Sequence, residues 1–230
     1  TQILVRCSVH GINEYNAMTP YPFDSIRING RDVLIQEIVK TAANPQTEFE
    51  ASTFSFIRDW FTGTETFRQL TSGSTGDPKE ITLSRDQMIA SARMTEHALD
   101  LQDGWCALLC LNPSYIAGKM MLVRSFVTGM KVIAVEPSAN PFLQLADDQS
   151  IDFAALVPSQ IHDIIRSHKA GSLNAIDTII IGGAAIDSET REKLSEFSCR
   201  LYATYGMTET LSHIALMALN GKMASDHFTV

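Results

Sequence analysis

The chain is short of positive charge and of cysteine, and it contains no long apolar run. Its 18 lysines and arginines are outnumbered by 26 acidic residues, which gives a formal net charge of −8 and a pI near 5.2. That balance argues against a nucleic-acid-binding surface, so no nucleic-acid partner is expected. No run of about 18 apolar residues occurs, so no membrane span is expected. The N-terminus also lacks the basic-then-apolar pattern of a secretory signal. The four cysteines (Cys7, Cys106, Cys110 and Cys199) form no Cys-x-x-Cys pair and have no histidine at a zinc spacing. Cys106 and Cys110 fall in an apolar run that reads as buried strand, so free thiols in a reducing cytoplasm are expected rather than disulfides. Internal repeats and low-complexity segments are absent. What remains is a 230-residue chain, 45% hydrophobic, long enough for one large domain or two small ones with a substantial core.

Taken in order, residues 1–30 read as an irregular arm with one strand at Ile3–Cys7. Helical spacing of Leu34, Ile35, Ile38 and Val39 predicts a helix over Arg31–Ala43. A second helix, Glu48–Phe61, collects Phe54, Ile57, Trp60 and Phe61 on one side as core. Strands Glu65–Leu70 and Glu80–Leu83 flank a Gly/Ser-rich loop, and Ser84-Arg85-Asp86-Gln87 reads as a capping box opening a helix to about Leu99. From Trp105 onward strands and helices alternate. Strands are expected at 105–111, 131–135, 152–157, 178–181 and 200–204, and helices at 117–128, 159–168 and 188–197. Such alternation predicts an α/β fold, a parallel sheet flanked by helices on both faces.

Three stretches carry chemistry. Thr71-Ser72-Gly73-Ser74-Thr75-Gly76-Asp77-Pro78-Lys79 holds two glycines, four hydroxyls and a lysine. Glycines let backbone N–H groups form a concave nest, hydroxyls add donors and the lysine adds charge, a set that suits phosphate. It is not a Walker A loop, because Asp77-Pro78 separate Gly76 from Lys79. Gly182-Gly183-Ala184 follows an apolar strand, where backbone without bulky side chains passes close to a flat ligand. Tyr205-Gly206-Met207-Thr208-Glu209 follows the last strand with an aromatic face, a hydroxyl and a carboxylate. Ligands of open parallel sheets gather beyond the carboxyl ends of strands, where the second and third stretches fall.

In their order and spacing these strings resemble the adenylate-forming enzymes, the acyl- and aryl-CoA ligases, luciferases and peptide-synthetase adenylation domains. The resemblance runs from about Glu65 to about Ser212 and implies the large N-terminal domain of such an enzyme. It divides the chain into an arm with helices (1–64) packed on an AMP-binding α/β domain (65–230). It implies that Thr71, Ser72, Gly73, Ser74, Thr75, Gly76 and Lys79 bind the β- and γ-phosphates of ATP. Gly182, Gly183 and Ala184 would line the acyl and adenine pocket, with Tyr205 and Gly206 beside adenine. Thr208 would contact the α-phosphate, and Glu209 would hold Mg²⁺. The implied reaction joins a small-molecule carboxylic acid to ATP as an acyl-adenylate and then passes the acyl group to coenzyme A.

Two departures from the family pattern stand out. The ribose-binding Thr-Gly-Asp motif and the late catalytic lysine are absent from these residues, so the chain is expected to be a poorly active N-terminal part. Tyr115 and Gly118 stand where the family often has a histidine and a pocket glycine. The segments Leu111–Met121 and Val135–Pro141 look most like the o-succinylbenzoate–CoA ligases of menaquinone synthesis. That acid keeps a second carboxylate, for which Tyr115, Lys119 and Ser159 are candidate partners, with Gly183 nearby. His162, His168 and His213 are expected to be structural or exposed. The alternatives are another aryl- or acyl-CoA ligase, phenylacetate-type included, or a non-catalytic nucleotide-binding module.

Overall fold

The computed structural model describes residues 21–70 and 79–229; the expected strand at Ile3–Cys7 and the loop Thr71–Pro78 lie outside them. Ile26 and Ile28 are buried on β1 (Ser25–Ile28), which turns directly into β2 (Arg31–Leu34). Ile28 faces Arg31 across the pair, so the connection is Asn29-Gly30 alone, with φ of 48° and 80°. Two residues at positive φ make a type I′ turn, for which Asn-Gly is the favoured sequence. A hairpin therefore replaces the end of the irregular arm and the first turn of the expected helix. Helix α1 runs only over Ile35–Val39.

Helix α2 (Glu48–Phe61) starts at Thr47, whose hydroxyl accepts from the Glu50 N–H at 3.2 Å, and it buries Phe54, Ile57 and Trp60. Strands β3 (Thr66–Leu70) and β4 (Glu80–Ser84) form a separate two-stranded antiparallel sheet. Helix α3 (Arg85–Leu99) opens on the expected capping box. Ser84 Oγ accepts from the Gln87 N–H at 3.2 Å, and Gln87 Oε1 accepts from the Ser84 N–H at 3.0 Å. The expected alternation follows as β5 (Cys106–Leu109), α4 (Ile116–Thr128), β6 (Lys131–Ala134), β7 (Phe153–Leu156), α5 (Pro158–Ile165), β8 (Thr178–Ile181), α6 (Ser188–Leu194) and β9 (Arg200–Gly206). An unanticipated strand, β10 (His213–Ala218), then turns back along β9.

These strands make a mostly parallel sheet in the order β10-β9-β8-β7-β5-β6-β1-β2, with only the two edge strands antiparallel. Alternate residues feed two cores. Ala107, Leu109, Phe153, Ala155 and Ile180 pack with Phe54, Ile57, Met88 and Met121 from α2, α3 and α4. Leu108, Cys110, Ala154, Leu156, Ile179 and Ile181 pack with Ile161, Ile164 and Leu194 from α5 and α6. Burial on both faces is why β7 and β8 are apolar at nearly every position. Each buried Leu or Ile contributes about 1.5–3 kcal/mol relative to exposure. The parallel strands β5, β7, β8 and β9 all point their carboxyl ends to one edge, and the candidate residues leave from there.

Candidate functional site

The sheet order places three strand ends side by side. After β8 come Gly182 and Gly183, and the chain there is held between its neighbours. A Cβ on Gly182 would lie 2.2 Å from Thr204 Oγ1 of β9, which itself donates to the Ile181 carbonyl at 3.3 Å. Gly183 has φ +89°, and a Cβ there would lie 3.6 Å from Val157, the residue after β7. Gly183, Ala184 and Ala185 are exposed, which leaves a strip of small residues open to a ligand.

Strand β9 runs through Tyr205 and Gly206 rather than stopping at Thr204. The Tyr205 ring is 54% exposed, and Phe228 lies against it with ring centroids 5.8 Å apart. A Cβ on Gly206 would lie 2.4 Å from the Ser212 carbonyl and 2.5 Å from His213 Cα, so only glycine lets β10 return this closely. Between them Thr208–Thr210 form one 3-10 turn. The Thr210 hydroxyl closes it, accepting from the Met207 N–H at 2.9 Å and donating to the Ser212 carbonyl at 2.8 Å. That closure presents Thr208 half-buried and Glu209 exposed at the strand end. Among the described residues no group of three or more His, Cys, Asp or Glu side chains could hold a metal. An exposed single carboxylate beside a hydroxyl instead suits Mg²⁺, which takes one or two carboxylates plus substrate phosphates.

Ser159 is exposed in the first turn of α5, after β7. After β5, Asn112 Oδ1 accepts from the Ser114 N–H at 2.8 Å, and Tyr115, 64% exposed, precedes α4. Gly118 is buried in the first turn of α4, where a Cβ would lie 2.5 Å from the Leu111 carbonyl and the Asn112 backbone. Lys119 points to β3, with Nζ 2.9 Å from the Arg68 carbonyl and 2.7 Å from Gln69 Oε1. Lys79 is exposed just before β4. Thr71, Ser72, Gly73, Ser74, Thr75 and Gly76 lie outside the described residues.

One group was not anticipated. Arg124, in the middle of apolar α4, is 2% exposed. Its Nη2 donates to Ser212 Oγ at 2.5 Å and lies 3.4 Å from His213 Nδ1, while Nε donates to Thr95 Oγ1 of α3 at 3.3 Å. A guanidinium only donates, so His213 Nδ1 is an acceptor, and Nε2 carries the proton facing Thr95 Oγ1 at 3.3 Å. Burial pushes Arg124 down to about 10, still charged at neutral pH. Burial, then the Arg124 charge, pushes His213 down to about 3 and keeps it neutral. No ion pair of Arg124 with a carboxylate occurs among the described residues. A buried cation costs several kcal/mol when its partners are neutral, and the partners of this one among the described residues are the neutral Thr95, Ser212 and His213. The sequence signal was a lone arginine inside Met120–Val127, followed at a distance by the Ser-His that ends the Thr208–Glu209 turn.

Residues 64–228 match the family model described as AMP-binding enzyme. Among curated proteins, the chain is 25% identical over 191 residues to a 2-succinylbenzoate–CoA ligase of Bacillus cereus (strain Q1). That match covers 82% of this chain and 38% of the relative, so the chain spans well under half its length. Among solved structures, it is similar to an acyl-CoA synthetase (AMP-forming)/AMP-acid ligase II-like protein from Dyadobacter fermentans DSM 18053. The TM-score is 0.77 at 41% identity, over 83% of this chain and 55% of that one. It shares the fold of the O-succinylbenzoate coenzyme A synthetase from Bacillus subtilis, solved in complex with ATP and magnesium ion. There the TM-score is 0.58 at 23% identity, over 66% of this chain and 32% of that one.

Proposed function

The chain belongs to the AMP-binding enzyme family, and from that premise we propose that it forms the nucleotide and acid site of a cytoplasmic, AMP-forming acid–CoA ligase whose acid is o-succinylbenzoate. The open strip Gly182–Ala184 and the face of Tyr205 receive adenine. The Thr208 hydroxyl meets the α-phosphate, and Thr71–Gly76 with Lys79 receive the β- and γ-phosphates. Glu209 holds Mg²⁺, which when bound offsets the charge of the triphosphate on an acidic protein. The strand ends align the acid's carboxylate with the α-phosphorus. Attack forms the C–O–P bond of the acyl-adenylate and releases pyrophosphate, and the coenzyme A thiol then displaces AMP. Such a reaction asks the protein for alignment and charge cancellation rather than covalent help.

The observation that carries the choice of acid is Arg124. A mono-acid leaves no charge for a second cation, whereas o-succinylbenzoate keeps one carboxylate after the other has reacted. Arg124 lies six residues, about 9 Å of helix rise, beyond Gly118. Ser212, half-buried and bonded to it, links the guanidinium to the Thr208–Glu209 turn. Tyr115 and Ser159 remain candidate partners on the exposed side.

The test is carboxylate-dependent exchange of labelled pyrophosphate into ATP by the complete gene product. The acids are o-succinylbenzoate, benzoate, phenylacetate and a medium-chain fatty acid, with Glu209→Gln as control. Exchange with o-succinylbenzoate alone, lost in the control, is expected. Arg124→Gln should raise the KM for that acid at least tenfold, the scale of one charge-assisted hydrogen bond. Exchange with a different acid would retain the chemistry and discard the substrate. ATP binding without exchange for any acid would leave a nucleotide-binding module.

A further inference from the structure

Gln69 is a polar side chain that is 4% exposed on a strand of a two-stranded sheet. Its placement is explained by what it joins. Its Nε2 donates to the Ser114 carbonyl at 3.0 Å and to the Leu70 carbonyl at 3.1 Å. Its Oε1 accepts from Lys119 Nζ at 2.7 Å, and the same ammonium donates to the Arg68 carbonyl at 2.9 Å. Lys119 is half-buried, and among the described residues it makes no ion pair with a carboxylate. Two elements are therefore bridged. One is the last part of β3. The other is the tight piece made by Asn112–Gly118, where Ser52 Oγ donates to Asn112 Oδ1 at 3.2 Å and Gly118 packs on the Asn112 backbone.

The bridge matters because, among the described residues, strands β3 and β4 have no strand pairing to the main sheet. At its base the hairpin is fixed by apolar packing. Phe67 lies 5.2 Å from the Phe56 ring and 5.8 Å from that of Trp60. The Arg85 guanidinium adds a hydrogen bond to the Thr64 carbonyl at 2.9 Å. Toward the other end, where β3 leads on and β4 begins, the Gln69–Lys119 bridge ties the hairpin to the acid side. A hydrogen-bonded link of this kind offers a route by which ordering one end can favour the other, and any such coupling between two binding sites is reciprocal.

We propose that Lys119 and Gln69 are positioning residues that couple acid binding to ATP binding, through the bridge from α4 to β3. Lys119 then serves the nucleotide through β3 and is not a counter-ion of the acid. This role rests on the ligase reading above.

The experiment is an initial-rate matrix of ATP against acid concentration for the complete gene product, with calorimetric ATP titrations in the presence and absence of acid. The variants are Lys119→Met, Gln69→Leu, the double variant and Lys119→Arg. In the wild type, saturating acid should tighten ATP binding. Lys119→Met should cut that enhancement at least threefold and raise the KM for ATP. Lys119→Arg should restore part of it, and the double variant should be no worse than the worse single one, as for two parts of one link. Because Lys119 is only half-buried, Lys119→Met tests the link even where Gln69→Leu does not fold. A Lys119→Met enzyme with a higher KM for the acid alone, and unchanged coupling, would overturn the proposal and make Lys119 an acid contact. Fully additive losses in the double variant would overturn it too. No exchange by the wild type would sink the ligase reading and this role together, whereas normal exchange with intact coupling in Lys119→Met would sink this role alone.

Discussion

Nη2 of Arg124 lies 3.4 Å from Nδ1 of His213, and burial, reinforced by that charge, keeps the imidazole neutral far below its ordinary range. The consequence for stability has a definite sign. His213 titrates near 6.5 in the unfolded chain and near 3 in the folded one. Between those values the unfolded state binds a proton that the folded state refuses. Stability contributed by the neutral ring is therefore whole above pH 6.5 and lost as pH falls toward 3. At pH 5 the loss amounts to about 2 kcal/mol. Urea denaturation of the wild type and His213→Gln at pH 7 and pH 5 checks this, and the variant should show a shallower fall.

The glycines around the site divide into two kinds. At Gly118 and Gly206 an added methyl meets backbone at 2.4–2.5 Å, which cannot swing aside. Alanine at either position should destabilise the protein by about 1–3 kcal/mol. It should also damage function locally, through the acid's KM at Gly118 and through kcat at Gly206, where the Thr208–Glu209 turn would shift. At Gly182 the obstacle is a threonine hydroxyl that can rotate at the loss of its bond to Ile181. Gly182→Ala should cost less than either, and thermal melts of the three variants give the ranking.

Much of this was legible in the sequence because the signals were local. The run Thr178–Ile181, three isoleucines after a threonine, read as a strand covered on both sides, and Ser84 with Gln87 specified a helix start from two side chains. The hairpin Ser25–Leu34 was missed although Asn29-Gly30 is the turn signature itself, because Leu34, Ile35 and Ile38 overlaid a helical period on a two-residue alternation. Strand β10 was missed because its pairing depends on Gly206 admitting a neighbouring backbone, a fact of packing. The candidate site divided in the same way. Tyr205, Thr208 and Glu209 sit in one short string, whereas Thr95, Arg124 and His213 meet only after α3, α4 and β10 have packed together.

Glu50 ties the N-terminal hairpin to α2. It is buried, and its carboxylate receives the Arg31 guanidinium, Asn29 Nδ2 at 2.9 Å and the Gln46 N–H at 2.6 Å. Burial raises its pKa, but the hydrogen bonds from Gln46, Asn29 and Arg31 outweigh this and hold it below the usual 4.5. Its contribution is thus present above about pH 4.5 and lost as pH falls below it. Glu50→Ala should cost about 2–3 kcal/mol at pH 7, since Arg31 is left partly buried without its partner. That cost should shrink in acid, as chemical denaturation at pH 7 and pH 4 would reveal.

Burial pushes the thiols of Cys110 to about 12 and of Cys106 and Cys199 to about 11, with the Asp152 charge adding to the rise at Cys106. Only the thiolate reacts with disulfide reagents. At pH 8 these three should label slowly in the folded protein and rapidly in urea. Mass mapping of the labelled peptides separates them from Cys7. Fast native labelling of Cys110 would contradict its burial.

Leu211 closes the turn that presents Thr208 and Glu209, and it does so at φ +68°, a backbone region that non-glycine residues avoid. The strain of about 1–2 kcal/mol is held by its side chain, which is 7% exposed among the residues of the α2–α4 core. Two substitutions separate the terms. Leu211→Ala keeps the strained backbone and loses the anchor, so it should cost about 2–4 kcal/mol. Leu211→Gly loses the same anchor but relieves the strain, so despite glycine's greater freedom when unfolded it should be no less stable than alanine. Both release the turn and should lower kcat more than they raise the KM for ATP, because Tyr205 stays on β9 while Thr208 and Glu209 lose their fixed direction. Denaturation curves and steady-state kinetics on the pair decide it. A glycine variant clearly less stable than the alanine variant would show that the turn stores no strain, and that Leu211 acts by burial alone.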